Sequence, residues 1–237
     1  MSSPPPTPTL AVLPPADDLQ TTGLLLSGGL DSTILLGQLL AHGWRVRPFY
    51  VRTGCAWQSE ELHAVRRLLD ELHQPHLEPL VELDMPVDDL YADHWSITGQ
   101  SVPDDHSADE AVFLPGRNPL LLLKPVLWCA MHGVRRMALA TLAANPFDDA
   151  KPEFFARFEA MIEWATGSEV RIVRPFEMLS KRCVMQLGRD VPLGLTFSCI
   201  APIGGLHCGH CNKCAERAAA FRHLSAGDPT QYAQEVA

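Results

Sequence analysis

Ser27-Gly28-Gly29-Leu30-Asp31-Ser32-Thr33 sits between a short apolar run, Gly23-Leu24-Leu25-Leu26, and a segment of helical character from Ile34 to Ala41 that Gly43 closes. Strand, tight loop and helix in that order make one βα unit. At such a junction the first helix amides lack intrachain partners and carry the positive end of the helix dipole, so the loop is suited to an anion. Adjacent glycines let backbone approach that anion closely, and the hydroxyls of Ser27, Ser32 and Thr33 can add donors around the same oxygens. The loop is neither G-x-x-x-x-G-K-[ST] nor G-x-G-x-x-G, so those two nucleotide fingerprints are not met. The competing account is an ordinary tight βα turn with an Asp or Ser cap.

The alternation continues down the chain. Val46 to Val51 reads as a second strand, and Glu60 to Leu72 as a helix with Leu62, Val65, Leu68, Leu69 and Leu72 on one face, stopped before Pro75. Residues 81–112 hold a weak strand, Val81 to Leu83, and then a polar stretch with Pro86 and Pro103 that reads as a long, partly mobile loop. After Pro115-Gly116-Arg117-Asn118 come a buried helix, Leu120 to His132, and a strand, Met137 to Leu142. Pro152 to Ala165 reads as a helix with proline in its first turn, Val170 to Val173 as a strand, and Ser180 to Leu187 as a helix with a serine cap. Repeated βα units imply an α/β fold with a mostly parallel, doubly wound sheet.

At 237 residues and 46% hydrophobic content the chain can build one sizeable core. Residues 1–20 carry Pro4, Pro5, Pro6, Pro8, Pro14 and Pro15 and read as a disordered tail. A formal charge of −9 leaves no basic footprint for nucleic acid, so a small-molecule substrate fits better. There is no apolar run of about 18 residues and no basic segment ahead of an apolar one at the N-terminus, which predicts a soluble, cytoplasmic protein without a membrane partner.

Of seven cysteines, Cys199, Cys208, Cys211 and Cys214 follow the spacing C-x8-C-x2-C-x2-C. Four thiolates can close a tetrahedral zinc shell with no open position, so the expected metal is structural and does not activate water. His207 and His210 lie close enough in sequence for one imidazole to replace one thiolate. Cys55 stands alone in a loop, where packing is the expected role and a thiol carrier the alternative; Cys129 and Cys183 read as core packing.

The Ser-Gly-Gly-x-Asp-Ser loop resembles that of the PP-loop, or N-type ATP pyrophosphatase, fold of the adenine nucleotide alpha hydrolase type. Taken with Pro115-Gly116-Arg117-Asn118, Leu179-Ser180-Lys181, and Leu195-Thr196-Phe197-Ser198-Cys199 leading into His207-Cys208-Gly209-His210-Cys211, the chain is similar to the 7-cyano-7-deazaguanine synthase family over roughly residues 22–224. The resemblance implies a PP-loop domain over residues 21–195 and a zinc-binding segment over 196–237. It implies an ATP-dependent carbon-nitrogen ligase of queuosine biosynthesis that adenylates 7-carboxy-7-deazaguanine and, with ammonia, makes the amide and then the nitrile. Magnesium accompanies ATP in that family, and a homodimer is expected.

By the same resemblance, Leu26, Ser27, Gly28, Gly29, Leu30, Asp31, Ser32 and Thr33 hold ATP together with Arg117 and Asn118, and Asp31, Arg117 and Lys181 are the catalytic candidates. Simpler accounts stand beside these: Arg117 as a salt-bridge partner in a loop, Asn118 as a turn residue before Pro119, and Lys181 as a solvated charge at a helix start. Two segments depart from the family. Gly54-Cys55-Ala56-Trp57-Gln58 replaces G-Q-R-H, and the stretch from Ala143 to Ala150 is shorter than N-x-x-D-Y-S-G-Y-P-D-C-R and lacks its Tyr, Ser and Gly. Ligands bind at such loops in this architecture, so the alternatives are a divergent adenylating ligase acting on another carboxylate, or stopping at an amide or conjugate, and a non-catalytic ATP-binding module.

Overall fold

A computed structural model describes residues 20–236; the proline-rich segment read as a tail lies outside them apart from residue 20. Five strands, β1 (Thr21–Leu25), β2 (Arg45–Arg52), β3 (Val81–Asp84), β4 (Arg136–Ala138) and β5 (Arg171–Val173), form one parallel sheet in the order β3-β2-β1-β4-β5. The chain steps outward from β1 to β3 and then returns to lay β4 against β1. The strand order therefore reverses beside β1, and a crevice opens there at the carboxyl ends of the strands.

The helices are α1 (Leu30–Ala41), α2 (Gln58–Glu71), α3 (Asp88–Tyr91), α4 (Trp95–Thr98), α5 (Arg117–Met131), α6 (Pro152–Thr166), α7 (Lys181–Leu187) and α8 (Asn212–Phe221). Because successive strand residues point to opposite faces, β2 feeds two cores. Val46 and Tyr50 join a cluster with Ile34, Leu35, Leu39, Val65, Leu68 and Val184 of α1, α2 and α7, whereas Phe49 joins Leu122, Val126, Phe155 and Phe158 of α5 and α6. No helix of the described residues is long and apolar enough to cross a membrane.

Three boundaries differ from the sequence reading by three residues or more. α1 begins at Leu30, ahead of Ile34, because Gly29 is its extended N-cap and its first turn is polar, so apolar periodicity does not register it. α5 begins at Arg117, since Gly116 takes a left-handed φ of 73° and Pro119 falls in the first turn, where proline is tolerated. β4 ends at Ala138 and does not reach Leu142, although the amide of Leu139 still donates to the Val173 carbonyl at 2.9 Å.

The stretch read as a long irregular loop, 81–112, contains β3, α3, α4 and a 3-10 turn, Asp109–Val112. It is fastened to the cysteine segment: the amide of Asp105 donates to the His210 carbonyl at 3.0 Å, and that of Asn212 to the Pro103 carbonyl at 2.9 Å. A third cluster joins Cys55 and Trp57 of the altered loop to Leu114, Phe197 and the four clustered cysteines, and Trp57 stacks on Trp95 at 5.8 Å. Cys55 and Trp57 are thus largely buried, at 8% and 5% exposed.

Arg217 of α8 is 1% exposed and binds only neutral acceptors: Thr230 Oγ1 at 2.7 Å, Thr196 Oγ1 at 2.8 Å, Ser198 Oγ at 3.2 Å and the Leu193 carbonyl at 3.1 Å. It pins the 193–198 loop and the C-terminal tail onto α8. Substituting Arg217→Met leaves these acceptors, buried at Thr196 and Leu193 and partly buried at Ser198 and Thr230, without their donor, an expected loss of about 2–3 kcal/mol in urea unfolding at roughly 1 kcal/mol per orphaned group, with relief of the buried charge offsetting part.

Candidate active site

The glycine loop closes by backbone geometry. Gly28 has φ of +76°, and a Cβ there would stand 2.8 Å from Val65 Cγ2 and 3.3 Å from the Glu61 carbonyl oxygen, so only glycine fits. Gly28→Ala is expected to destabilise by about 2 kcal/mol, from the left-handed strain plus the displaced Val65, as read by thermal melts.

The first i to i−4 bond of α1 runs from Thr33 N to the Gly29 carbonyl at 3.2 Å, which leaves the amides of Leu30, Asp31 and Ser32 ahead of the helical ladder. The Ser27 and Ser32 hydroxyls lie 3.1 Å apart beside those amides. Thr33, by contrast, is wholly buried and its hydroxyl has no partner among the described residues, so it packs inward and does not face the loop's mouth. Leu26 and Leu30 are likewise buried in the core beneath the loop.

Asp31 and Lys181, 150 residues apart, meet at this loop. Lys181 Nζ donates to both carboxylate oxygens of Asp31 at 2.9 Å and to Glu216 Oε1 at 3.3 Å. Ser180 caps α7 by accepting from the Cys183 amide at 3.3 Å, which aims the next side chain, Lys181, at the loop. Burial raises the Asp31 pKa and Lys181 only partly offsets it; burial lowers Lys181, but Asp31 and Glu216 together outweigh that and hold the ammonium above the usual lysine range. Both shifts follow from one arrangement: Lys181 meets two carboxylates, whereas Asp31 is bonded to Lys181 alone; Glu216, which also meets Lys213 at 2.7 Å, is held below the usual carboxylate range. Lys181 is therefore not a solvated helix-start charge.

Arg117 and Asn118 separate in role. Arg117 is exposed at the start of α5, has no ion-pair partner among the described residues, and lines a cleft over β1 and β2. Asn118 turns away to Asp149: its amide donates to Asp149 Oδ2 at 3.1 Å, and its Nδ2 to the Asp149 carbonyl at 3.0 Å and Oδ1 at 3.2 Å. In this structure it fastens the shortened 143–151 loop to α5 and is not among the residues lining the cleft.

That cleft, open to solvent, is walled by Leu25, Ser27, Tyr50, Cys55, Trp57 and Tyr91, with Glu61 and Arg117 as its charged residues. The Tyr50 hydroxyl donates to Glu61 Oε2 at 2.8 Å. Burial pushes Glu61 up to about 7, against smaller lowering by Tyr50 and Arg117. Burial also raises Cys55, whose Sγ accepts from the Thr53 hydroxyl at 3.2 Å. Glu61 and Tyr50 were not legible as site residues: an acid in the first helical turn is the ordinary complement to the dipole, and a tyrosine in an apolar run reads as strand.

Cys199, Cys208, Cys211 and Cys214 are all buried, and their sulfurs lie within 4.8 Å of one another, with Cys199–Cys211 and Cys208–Cys214 at 3.8 Å. A tetrahedral metal bonded to four thiolates at about 2.3 Å sets its sulfurs about 3.8 Å apart, so the donor set fits. The amides of Ala201 and Cys208 both donate to Cys199 Sγ at 3.3 Å, which favours thiolate there. His207 is spoken for, since its Nε2 accepts from the Ser198 amide at 3.2 Å, and His210 is exposed; four sulfurs form the shell without imidazole. The Phe197 amide donates to the Gly28 carbonyl at 2.8 Å, so the cysteine segment is joined directly to the glycine loop.

Residues 22–225 match the model of the family described as queuosine biosynthesis protein QueC. The chain is 30% identical over 227 residues to 7-cyano-7-deazaguanine synthase of Stenotrophomonas maltophilia (strain K279a), covering 89% of this chain and 98% of that relative. It is also 30% identical to the protein of that name from Xanthomonas oryzae pv. oryzae (strain PXO99A), over 89% of this chain and 96% of that one. Among solved structures, NMN synthetase from Francisella tularensis aligns with a TM-score of 0.44 and 16% identity over 80% of this chain and 68% of that chain, too distant to bear on the site. The matched span takes in the glycine loop, the start of α5, Lys181 and all four clustered cysteines, and the chain belongs to the QueC family.

Proposed function

We propose that this protein is an ATP-dependent ligase that adenylates 7-carboxy-7-deazaguanine and, with ammonia, forms 7-cyano-7-deazaguanine. The observation that carries the reading is the junction of the glycine loop with Asp31 and Lys181, on a loop whose Ser27 lines the cleft, in a chain whose relatives bear that enzyme's name. A carboxylate is a poor electrophile until its oxygen belongs to a good leaving group. Its oxygen attacks the α-phosphorus of ATP and pyrophosphate departs. Ammonia then displaces AMP to give the amide, and a second ATP activates the amide oxygen, whose loss with AMP leaves the nitrile.

The amides at the start of α1 receive the departing pyrophosphate, and the Lys181 ammonium offsets charge that grows as the bond to it breaks. Arg117, exposed at the cleft and without a carboxylate partner among the described residues, meets the acid. Magnesium, when bound, neutralises phosphate oxygens, and Asp31 is the carboxylate at the loop able to hold it. Four soft thiolates suit structural zinc, which supplies cross-linking and no chemistry. A homodimer and a cytoplasmic setting belong to the same reading by family resemblance.

The apolar wall that Cys55 and Trp57 give the cleft favours a second reading, in which another carboxylate is activated or the amide is the product. Incubating the protein with the acid, ATP, magnesium and ammonium and following AMP, pyrophosphate and product mass decides between them. Absence of acid-dependent AMP overturns the proposed reaction, and amide without nitrile selects the second reading.

A further inference from the structure

Glu61 is an anion-forming group with no obvious reason to be where it is. It lines a mostly apolar cleft and pairs with no lysine or arginine among the described residues. Oε2 is taken by Tyr50, while Oε1 accepts no hydrogen bond from any described residue. An unpaired carboxyl in such a place costs stability, and it is explained if a ligand completes it.

We propose that Glu61 is a specificity-determining residue, its carboxylate accepting the adjacent ring N–H and exocyclic amino N–H of an aminopyrimidinone, the edge that a 7-deazaguanine acid presents. This rests on the substrate proposed above. A carboxylate offers two coplanar acceptors and matches two neighbouring donors; the corresponding edge of adenine sets a ring lone pair beside its amine and repels an anionic oxygen. Tyr50 and Trp57 supply aromatic surface for a flat ring, and Arg117 shares the cleft as a cation for the acid's carboxylate.

The groups facing Glu61 are Tyr50 from β2, Cys55 from the loop after it, Tyr91 from α3 and Arg117 from α5. Burial raises Tyr50, Cys55 and Tyr91, so they stay neutral near neutral pH, and Glu61, at about 7, is the group that changes charge. Only its ionised form accepts both donors. Acid binding therefore strengthens as pH rises from about 6 to about 8.

The test is titration of the full chain with 7-carboxy-7-deazaguanine, read by tryptophan fluorescence, beside steady-state turnover. Glu61→Gln is expected to raise Kd and KM for the acid about 10- to 100-fold and to flatten the pH dependence, with KM for ATP within about 3-fold. Wild type should bind the same acid lacking its 2-amino group about 10- to 100-fold more weakly, and Glu61→Gln should bind the two alike. Because the folded carboxyl titrates above its unfolded value of 4.5, wild type loses stability as pH rises from there through about 7. Glu61→Gln should thus melt no lower than wild type above that range, and if it does melt lower, the wild-type pH series and the comparator acid test the proposal without a variant.

A rise in KM for ATP with none for the acid places adenine at Glu61 and overturns the inference, as does an unchanged KM for both. If wild type binds the acid with the expected pH and 2-amino dependence yet releases no AMP, the reaction fails and the role of Glu61 stands. If it turns the acid over and Glu61→Gln does so with unchanged KM, the role fails and the reaction stands. Neither binding nor turnover by wild type overturns both.

Discussion

Replacing Cys211 with serine is expected to lower the thermal midpoint by about 6–20 °C, to release the bound metal, and to abolish ATP-dependent activity together with the fold of the C-terminal segment. Structural zinc contributes about 10–16 kcal/mol to the folding of small peptides, and a 237-residue chain with other cores retains only part of that dependence. A loss of about 3–5 kcal/mol is enough, because each kcal/mol moves the midpoint of a chain of this size by about 2–4 °C. Cys211 is also the N-cap of α8, the helix that carries Glu216, Arg217 and Phe221. Without the shell, Phe221 leaves the core, Arg217 loses its four acceptors, and the Phe197 bond to Gly28 slackens. Calorimetry of wild type with and without a strong chelator checks this: chelated wild type should approach the variant, and an unchanged midpoint in both refutes a structural metal.

The parts of this molecule that were legible in its sequence are those whose physics is local. Short apolar runs and helices with one apolar face give the βα alternation, and a thiol quartet at metal spacing needs no partner from elsewhere. What was not legible depends on the third dimension. Asn118 stands next to Arg117 in sequence, but Asp149 of a distant loop claims both its backbone amide and its side chain, so the two neighbours diverge. Thr33 ends the serine-rich loop motif yet lies one turn inward, because a helix that starts at Leu30 rotates it toward the core. The 81–112 stretch is poor in periodicity because its order comes from hydrogen bonds to the cysteine segment and from Trp57 on Trp95, contacts that no local pattern encodes. Glu61 is hidden by a different degeneracy: the same residue type at the same helical position serves the dipole in most proteins.

Lys181→Met is expected to slow acid-dependent pyrophosphate release by about 100- to 1,000-fold, the range that follows removal of one preorganised donor from developing charge, with a smaller change in KM for ATP. The reason lies in how Lys181 is held. Asp31 and Glu216, from the glycine loop and from the cysteine-segment helix, fix Nζ from two sides before ATP arrives, so the cation needs little reorganisation to meet charge. The substitution also takes from Asp31 the cation that offsets its burial, and its carboxyl pKa rises further. A reaction that needs ionised Asp31 then loses activity at a higher pH on the acid side, so the acid limb of the variant's profile shifts to higher pH on top of the pH-independent loss. Lys181→Arg keeps the charge but is too broad for a site that two carboxylates already bracket, and should fall between wild type and Lys181→Met. Asp31→Asn should lose activity to a similar degree. Because Asp31 and Lys181 act as one unit, the double variant should be scarcely slower than either single one, and a fully additive cycle, with losses multiplying, would show that the two act independently.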